Sequence, residues 1–196
     1  MAGRRRLTIG LGLALALGLL LAACSGTQTG GGDARGAAGL ASTDGVRAAD
    51  MEITLYTGAE LVGRSETSLA ELLSLGRPVV LNMWAGLCPP CRLEMPDFQE
   101  VSTAYGERIL VFGLDVGPFA NLGSSEEGQA LVEELGITYP TGSTGDPTVV
   151  RDYQLLGMPT TYFITSGGEI VRRWTGLLTA EKLGELVDEL LLVDGS

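Results

Sequence analysis

The sequence predicts an α/β domain in which helices cover both faces of a mixed β-sheet. From Met51 onward, strand-like and helix-like patterns alternate along the chain. Val79 to Trp84 is a nearly continuous apolar run, which is typical of a central strand covered on both faces. The runs 160–165 and 169–175 flank Ser166-Gly167-Gly168, and this pattern predicts a β-hairpin that adds an antiparallel pair to the sheet.

The first half of this domain opens with a strand and a short helix. Residues 53–57 alternate apolar and polar positions and predict an edge strand or one arm of a hairpin. Ser68 with Glu71 fits a capping box that starts a helix, and Gly76 fits the position after its end. The central strand follows, and residues 89–105 then form a second predicted helix.

The second half adds another strand and two helices. Residues 109–114 predict a second buried strand, and Ser124 begins a capped helix that closes near Gly136. After the hairpin, Leu183 to Leu191 place leucine and valine on one face of a last helix. The order is therefore a β-α-β unit followed by a β-β-α unit around the central strand.

The N-terminus is typical of an exported chain. Arg4 to Arg6 precede an apolar run from Leu7 to Ala23, which has the charge and length of a secretory signal and is short for a membrane span. The run closes with Leu21-Ala22-Ala23-Cys24, which resembles the lipobox of bacterial lipoproteins. That resemblance implies a signal peptide over 1–23 and a lipid on Cys24, and an ordinary cleavage site beside an incidental cysteine is the alternative.

Residues 24–50 are rich in Gly, Ser, Thr and Ala and contain almost no large apolar side chain. This composition predicts a flexible tether, because such a segment has little apolar surface to bury. We therefore predict that a folded domain over 51–196 is held by the lipid on Cys24 at the extracytoplasmic side of a bacterial membrane.

Composition excludes several classes of function. The chain has 13 Lys and Arg against 24 Asp and Glu, a formal charge of −11, so it lacks the clustered cations of a nucleic-acid binder. It has no His, which excludes Ser-His-Asp and Cys-His catalysis and histidine-ligated zinc. Its three Cys exclude a scaffold held together by many disulfides.

Cys88-Pro89-Pro90-Cys91 lies between the central strand and the following helix. Cysteines at i and i+3 in a first helical turn are close enough for a disulfide, and proline is tolerated there because the first-turn N–H groups have no partner within the helix. Cys88 sits at the positive end of the helix dipole, which favours its thiolate and lowers its pKa. We expect Cys88 to attack and the more buried Cys91 to resolve the mixed disulfide.

Three other roles for the cysteine pair are a structural disulfide, a zinc site and a copper site. A structural disulfide around so small a loop stabilises the fold little, roughly 2 kcal/mol. A zinc site needs two ligands besides this pair, and the sequence offers no His to supply them. A copper(I) site formed by the two cysteines, with Met83, Met95 or Met158 as soft neighbours, stays open as an alternative.

Two segments carry a resemblance to a known family. Val79 to Pro96 resembles the active-site segment of TlpA-like and ResA-like thioredoxin-fold oxidoreductases, and Gly157 to Ile164 is similar to their cis-proline loop and following strand. The resemblance covers about Met51 to Val193 and implies a thioredoxin-like fold. It also implies that Gly117 to Tyr153 is the inserted strand-helix element. The Gly, Ser and Pro content around Pro140 to Pro147 predicts a loop near partner surfaces.

The resemblance assigns site residues as well. Catalytic roles fall on Cys88 and Cys91, and Glu94 matches an acidic position that handles protons for the resolving thiol, although a solvated helix carboxylate is the alternative. Substrate-binding roles fall on Trp84, Pro89, Pro90, Met158 and Pro159, with a cis bond before Pro159.

Two positions depart from related patterns. Asn82 stands where thioredoxin has a buried Asp, so a proton relay must use Glu94 or water. Leu87 replaces the aromatic residue that usually precedes the first cysteine.

The resemblance implies a membrane-anchored thiol-disulfide oxidoreductase that reduces disulfides of exported proteins, with apocytochromes c as one substrate class. A membrane thiol relay would supply electrons, and neither a metal nor a cofactor beyond the Cys88–Cys91 disulfide is implied. A disulfide oxidase or isomerase is one alternative. A copper-delivery binding protein is another.

Overall fold

The computed structural model describes residues 45–195 of the chain. The signal-like segment 1–23, the lipobox cysteine Cys24 and the tether up to residue 44 lie outside the described residues. Within the described part, no helix combines the length and the hydropathy that crossing a bilayer requires.

Within residues 45–195, eight strands form one sheet and six α-helices pack around it. The strand order across the sheet is β1-β8-β7-β4-β5-β6-β2-β3, in which β4, β5 and β6 are parallel neighbours and the other pairs are antiparallel. In chain order the elements are β1 (Val46–Arg47), β2 (Glu52–Thr57), β3 (Glu66–Ser68), α1 (Leu69–Leu73), β4 (Val79–Trp84), α2 (Pro89–Tyr105), β5 (Leu110–Asp115), α3 (Gly117–Ala120), α4 (Ser125–Leu135), β6 (Thr141–Ser143), α5 (Val149–Asp152), β7 (Thr160–Ile164), β8 (Glu169–Thr175) and α6 (Ala180–Asp194).

The central strand β4 is buried on both faces, as its apolar run predicts. Leu81 and Met83 point into a core that includes side chains of α1 and α5. Val80 and Trp84 point into a second core, formed with α2, α4 and α6. Because side chains alternate along a strand, one continuous apolar run supplies both cores. The predicted α/β class, with helices on both faces of a mixed sheet, is confirmed.

The predicted helix starts are those of the structure. Ser124 forms the full capping box before α4, since its Oγ accepts from Glu127 N at 3.3 Å and its own N donates to Glu127 Oε2 at 2.8 Å. Before α1 only half of the box forms. Ser68 Oγ accepts from Glu71 N at 3.2 Å, but the Glu71 carboxylate accepts from Arg64 and Thr67 instead.

Two predictions at the start of the domain are corrected. Of the two alternatives for residues 53–57, the hairpin is confirmed, because β2 pairs antiparallel with β3, the next strand in the chain. The edge strand is wrong, because β2 also pairs with β6 on its other side. The domain also begins before residue 51. Val46 and Arg47 pair with β8, and Asp50 Oδ1 accepts from Ala70 N at 2.8 Å at the start of α1. Residues 46–50 are thus held to the sheet and to α1 rather than forming the end of a tether.

The inserted region between β5 and β7 contains α3, α4, β6 and α5. The loop predicted around Pro140 to Pro147 is wrong in its first half, because Thr141–Ser143 is a buried strand between β5 and β2. Backbone pairing on both sides of this segment outweighs its Gly, Ser and Thr content, which on its own favours a loop.

Candidate active site

Cys88 and Cys91 are joined by a disulfide at the point where β4 leads into α2. Their Cα atoms are 5.3 Å apart, as one helical turn allows. Cys88 occupies the N-cap position, and Cys91 N donates to its Sγ at 3.3 Å. Pro89 and Pro90 have no N–H, so this amide is the first main-chain donor that the helix offers to the sulfur. Such a donor stabilises negative charge on Cys88 when the disulfide opens.

The disulfide borders an apolar groove of about 420 Å³. No charged side chain lines the groove, and Leu156 at its rim is 87% exposed. Cys88 is only 3% exposed but lines this groove, whereas Cys91 is fully buried and does not line it. An incoming sulfur therefore meets Cys88 first. The lining residues are Cys88, Pro89, Pro90, Ala120, Leu122, Val150, Leu155, Leu156, Gly157 and Met158.

The predicted substrate-binding residues divide into two groups. Pro89, Pro90 and Met158 line the groove. Trp84 does not, because it is fully buried in the core between the sheet and α2. Its assignment to substrate binding is therefore wrong, and its place is in core packing. Pro159 follows a cis peptide bond, as the resemblance implies, but it is buried and does not line the groove.

Glu94 lies one helical turn after Cys91 and is fully buried. Its Oε1 accepts from Asn82 Nδ2 at 2.8 Å, and its Oε2 accepts from Leu178 N at 3.1 Å. Asn82 Nδ2 also donates to Thr161 Oγ1 at 3.1 Å. The alternative of a solvated helix carboxylate is therefore excluded. Asn82, at the position where thioredoxin has a buried Asp, here donates a hydrogen bond to the carboxylate of Glu94.

Burial raises the pKa of Glu94 to about 7, and the two hydrogen bonds from Asn82 and Leu178 oppose that rise only in part. A carboxyl group with this pKa gains and loses a proton near neutral pH, which suits proton exchange with a thiol. Asn82 has no proton to exchange. Glu94 is thus the acid of this buried network, on the same helix as both cysteines.

Sequence reasoning missed a second buried carboxylate, Asp115, at the end of β5. Its Oδ2 accepts from Tyr56 Oη at 3.0 Å and its Oδ1 from Gly117 N at 2.9 Å. Burial raises its pKa to about 6. One signal was available, since an acid that ends an apolar strand is costly to bury unless it has partners.

The described residues contain no group of three or more His, Cys, Asp or Glu side chains placed to hold a metal ion. Of the methionines predicted as soft neighbours of a copper ion, Met83 packs in the core on the face of the sheet opposite the cysteines. Met95 is buried in the same core as the cysteines, and Met158 lines the groove.

Comparison with known proteins finds a family and similar thiol-disulfide oxidoreductases. The family model described as the AhpC/TSA family matches residues 45–173. A thiol-disulfide oxidoreductase ResA of Oceanobacillus iheyensis is 31% identical over 132 residues, covering 67% of this chain and 66% of that protein. The sporulation thiol-disulfide oxidoreductase A of Bacillus subtilis is 29% identical over 118 residues, covering 58% of this chain and 68% of that protein. The chain thus spans about two thirds of the length of these relatives.

A solved structure supports the fold. The thioredoxin domain of a thiol-disulfide oxidoreductase from Bacteroides vulgatus superposes with a TM-score of 0.61 at 18% identity, covering 78% of this chain and 99% of that one. At this identity the superposition shows the fold alone. The predicted thioredoxin-like fold is therefore confirmed.

Proposed function

The chain belongs to the AhpC/TSA family, and on this premise we propose that it is a thiol-disulfide oxidoreductase that reduces disulfides in exported partner proteins. The observation that carries the proposal is the position of Cys88. Its sulfur lies at the N-cap of α2, accepts a hydrogen bond from Cys91 N, and borders an apolar groove. Cys91 is fully buried one turn away, where it reaches Cys88 but not a partner.

Reduction proceeds in two exchange steps. In the reduced protein, the Cys88 thiolate attacks one sulfur of a partner disulfide, and the other partner sulfur leaves as a thiolate. Cys91 then attacks Cys88 Sγ, forms the intramolecular disulfide and releases the second partner sulfur. Two electrons pass from the dithiol to the partner, which gains two thiols.

Glu94 takes part in the second step. Cys91 attacks as a thiolate, so its thiol must first lose a proton inside a buried site. Glu94 lies one turn along α2, and its hydrogen-bond partners Asn82 Nδ2 and Leu178 N are both donors. Neither donor can take the proton, so within this network the carboxylate is the group that can accept it from the resolving thiol.

The groove determines which partner segment enters the site. Its walls are apolar and uncharged, and they reach the disulfide directly. An extended segment with apolar side chains beside its cysteine fits this surface, because burial of those side chains stabilises the complex. Apocytochromes c are one class of exported protein whose cysteines need reduction. A membrane thiol relay supplies the electrons, because an exported protein does not meet cytosolic reductants.

A reaction with a defined disulfide peptide tests the activity. The pre-reduced protein should reduce one peptide disulfide per molecule, and protein alkylated at both thiols should reduce none. Equilibration with glutathione buffers should then give a potential below about −200 mV, as for a reductant. A potential near or above about −150 mV contradicts reduction and favours the oxidase alternative. Stoichiometric Cu(I) binding without peptide reduction contradicts the enzyme assignment.

We further propose that a lipid on Cys24 holds the protein at the extracytoplasmic face of a bacterial membrane. In a bacterial host, the full chain should fractionate with membranes, and Cys24→Ser should appear in the soluble extracytoplasmic fraction. The matched control is Ser25→Ala, which leaves the cysteine in place and should stay with the membranes. Equal membrane retention of Cys24→Ser would contradict the anchor.

A further inference from the structure

Asp115 is a buried acid that the two exchange steps do not use. It ends β5 and is fully buried, and its register partner in the neighbouring strand is Trp84, four residues before Cys88. Its two oxygens accept from different elements, Tyr56 Oη of β2 at 3.0 Å and Gly117 N of α3 at 2.9 Å. The carboxylate thus connects the sheet to the start of the inserted region.

The same carboxylate also lies against α4. A methyl group at Gly128 would overlap the Asp115 carboxylate, so only glycine leaves room for it there. Gly128 itself is buried in α4. Asp115 therefore contacts β2, α3 and α4 at once, and its position sets where the α3–α4 segment, residues 117–135, meets the sheet.

The α3–α4 segment in turn holds the loop that leads to Cys88. Leu87 N donates to Leu122 O at 2.8 Å. A methyl group at Gly86 would lie 2.7 Å from the carbonyl carbon of Glu127 and from Gly128 N, so the Gly86 backbone packs directly on α4. The turn of α4 that contacts Asp115 is thus the turn that contacts the loop. A shift of Asp115 therefore moves the 85–87 loop through the backbone of α4, which contacts both.

We propose that Asp115 is a positioning residue for Cys88, acting through the α3–α4 segment that it holds against the 85–87 loop. The inference rests on the proposed function, because it concerns how fast that sulfur reacts. A buried carboxylate costs free energy that an apolar side chain of similar size avoids. Its hydrogen bonds to β2 and α3 offset part of that cost and fix the segment in one place.

The effect on reactivity follows from the local geometry. Cys88 is the N-cap of α2, and its N donates to Ala85 O at 3.2 Å within the same loop. When the loop shifts, the distance and angle from Cys91 N–H to Cys88 Sγ change with it. The stabilisation of the thiolate then changes, and so does the alignment of the sulfur with a partner disulfide.

Asp115→Leu and Asp115→Asn test the inference in the full, reduced protein. Alkylation of Cys88 is followed against pH by mass spectrometry, and the first exchange step with a disulfide peptide is timed. For Asp115→Leu we expect the midpoint of the alkylation profile to shift and the exchange step to slow about tenfold or more. Asn still accepts from Gly117 N, so Asp115→Asn should move both quantities less, in the same direction.

Two further variants separate positioning from stability. Leu72→Ala opens a cavity in the core on the other side of the sheet, and it should lower stability while leaving the Cys88 alkylation profile unchanged. Gly128→Ala displaces the Asp115 carboxylate from the side of α4 and should shift the profile as Asp115→Leu does.

The inference would be overturned if Asp115→Leu and Asp115→Asn folded and had the same alkylation profiles and exchange rates as the wild type. A profile that Leu72→Ala shifts equally would overturn it too, because stability alone would then account for the change. Failure of the wild type to reduce any disulfide contradicts the proposed function instead. The alkylation profile still tests the position of Cys88 in that case.

Discussion

Cys88→Ser is expected to abolish disulfide reduction, whereas Cys91→Ser is expected to stop the reaction one step later, with the partner covalently held. The reason is the difference in access between the two sulfurs. Cys88 borders the groove, and Cys91 is fully buried and does not line it. Without Cys88 no sulfur can attack a partner. Without Cys91 the mixed disulfide forms on Cys88 and is not resolved from within the protein.

Mass spectrometry of trapped complexes provides the measurement. Cys91→Ser should accumulate partners bound through Cys88, and their identities would report the substrate class directly. Cys88→Ser and the Cys88→Ser/Cys91→Ser double variant are matched controls and should accumulate almost none. If Cys88→Ser trapped partners through Cys91 as efficiently, the assignment of the attacking sulfur would be wrong.

Local sequence pattern was enough to place the cysteine pair. An apolar run long enough to be buried on both faces predicts β4, and two prolines after Cys88 fit the first turn of a helix. These features depend on neighbouring residues, so they can be recognised without the tertiary structure. The same holds for the capped start of α4 at Ser124.

The short strands could not be predicted in this way. β1 and β6 contain two and three residues, and they are strands because long-range partners pair with them. The hydrogen-bond partners of Glu94 are similarly distant, with Asn82 12 residues away and Leu178 84 residues away. The burial of Glu94 therefore depends on the tertiary fold, which brings β4 and the segment before α6 against α2.

The contacts of the inserted region with the active site also could not be predicted from the sequence. Resemblance predicts that it exists, but neither composition nor spacing shows which side of it meets the disulfide. Leu122 lines the groove, and its carbonyl oxygen accepts a hydrogen bond from Leu87 N. One segment thus supplies a wall for the partner and a support for the loop before Cys88.

The free energy of unfolding of the wild type is expected to fall as pH rises toward neutrality, and Glu94→Gln is expected to remove most of this fall. Burial raises the pKa of Glu94 from 4.5 to about 7, so the folded state holds this proton more tightly than the unfolded state does. The folded protein therefore binds more protons between these values, and the free energy of unfolding falls as pH rises through that window. The fall is on the order of 3 kcal/mol, and stability is level above the window.

Chemical denaturation at a series of pH values measures this slope. Wild type should lose stability from about pH 4.5 to 8, and Glu94→Gln should lose much less over the same range. Glu100→Gln, an exposed change on the same helix, should follow the wild type. A smaller slope should persist in Glu94→Gln, because burial also raises the pKa of Asp115 to about 6.

The same variant should slow the resolving step. Gln can accept one of the two hydrogen bonds that Glu94 accepts, but it cannot take a proton. The Cys91 thiol therefore loses its proton acceptor, and release of the partner should slow about a hundredfold. The first exchange step on Cys88 should be nearly unchanged, because Glu94 is fully buried and does not line the groove. Stopped-flow detection of the two steps separates them. Equal release rates in Glu94→Gln and wild type across pH 6 to 8 would show that the carboxyl group has only a structural role, since the stability slope would then change without the chemistry.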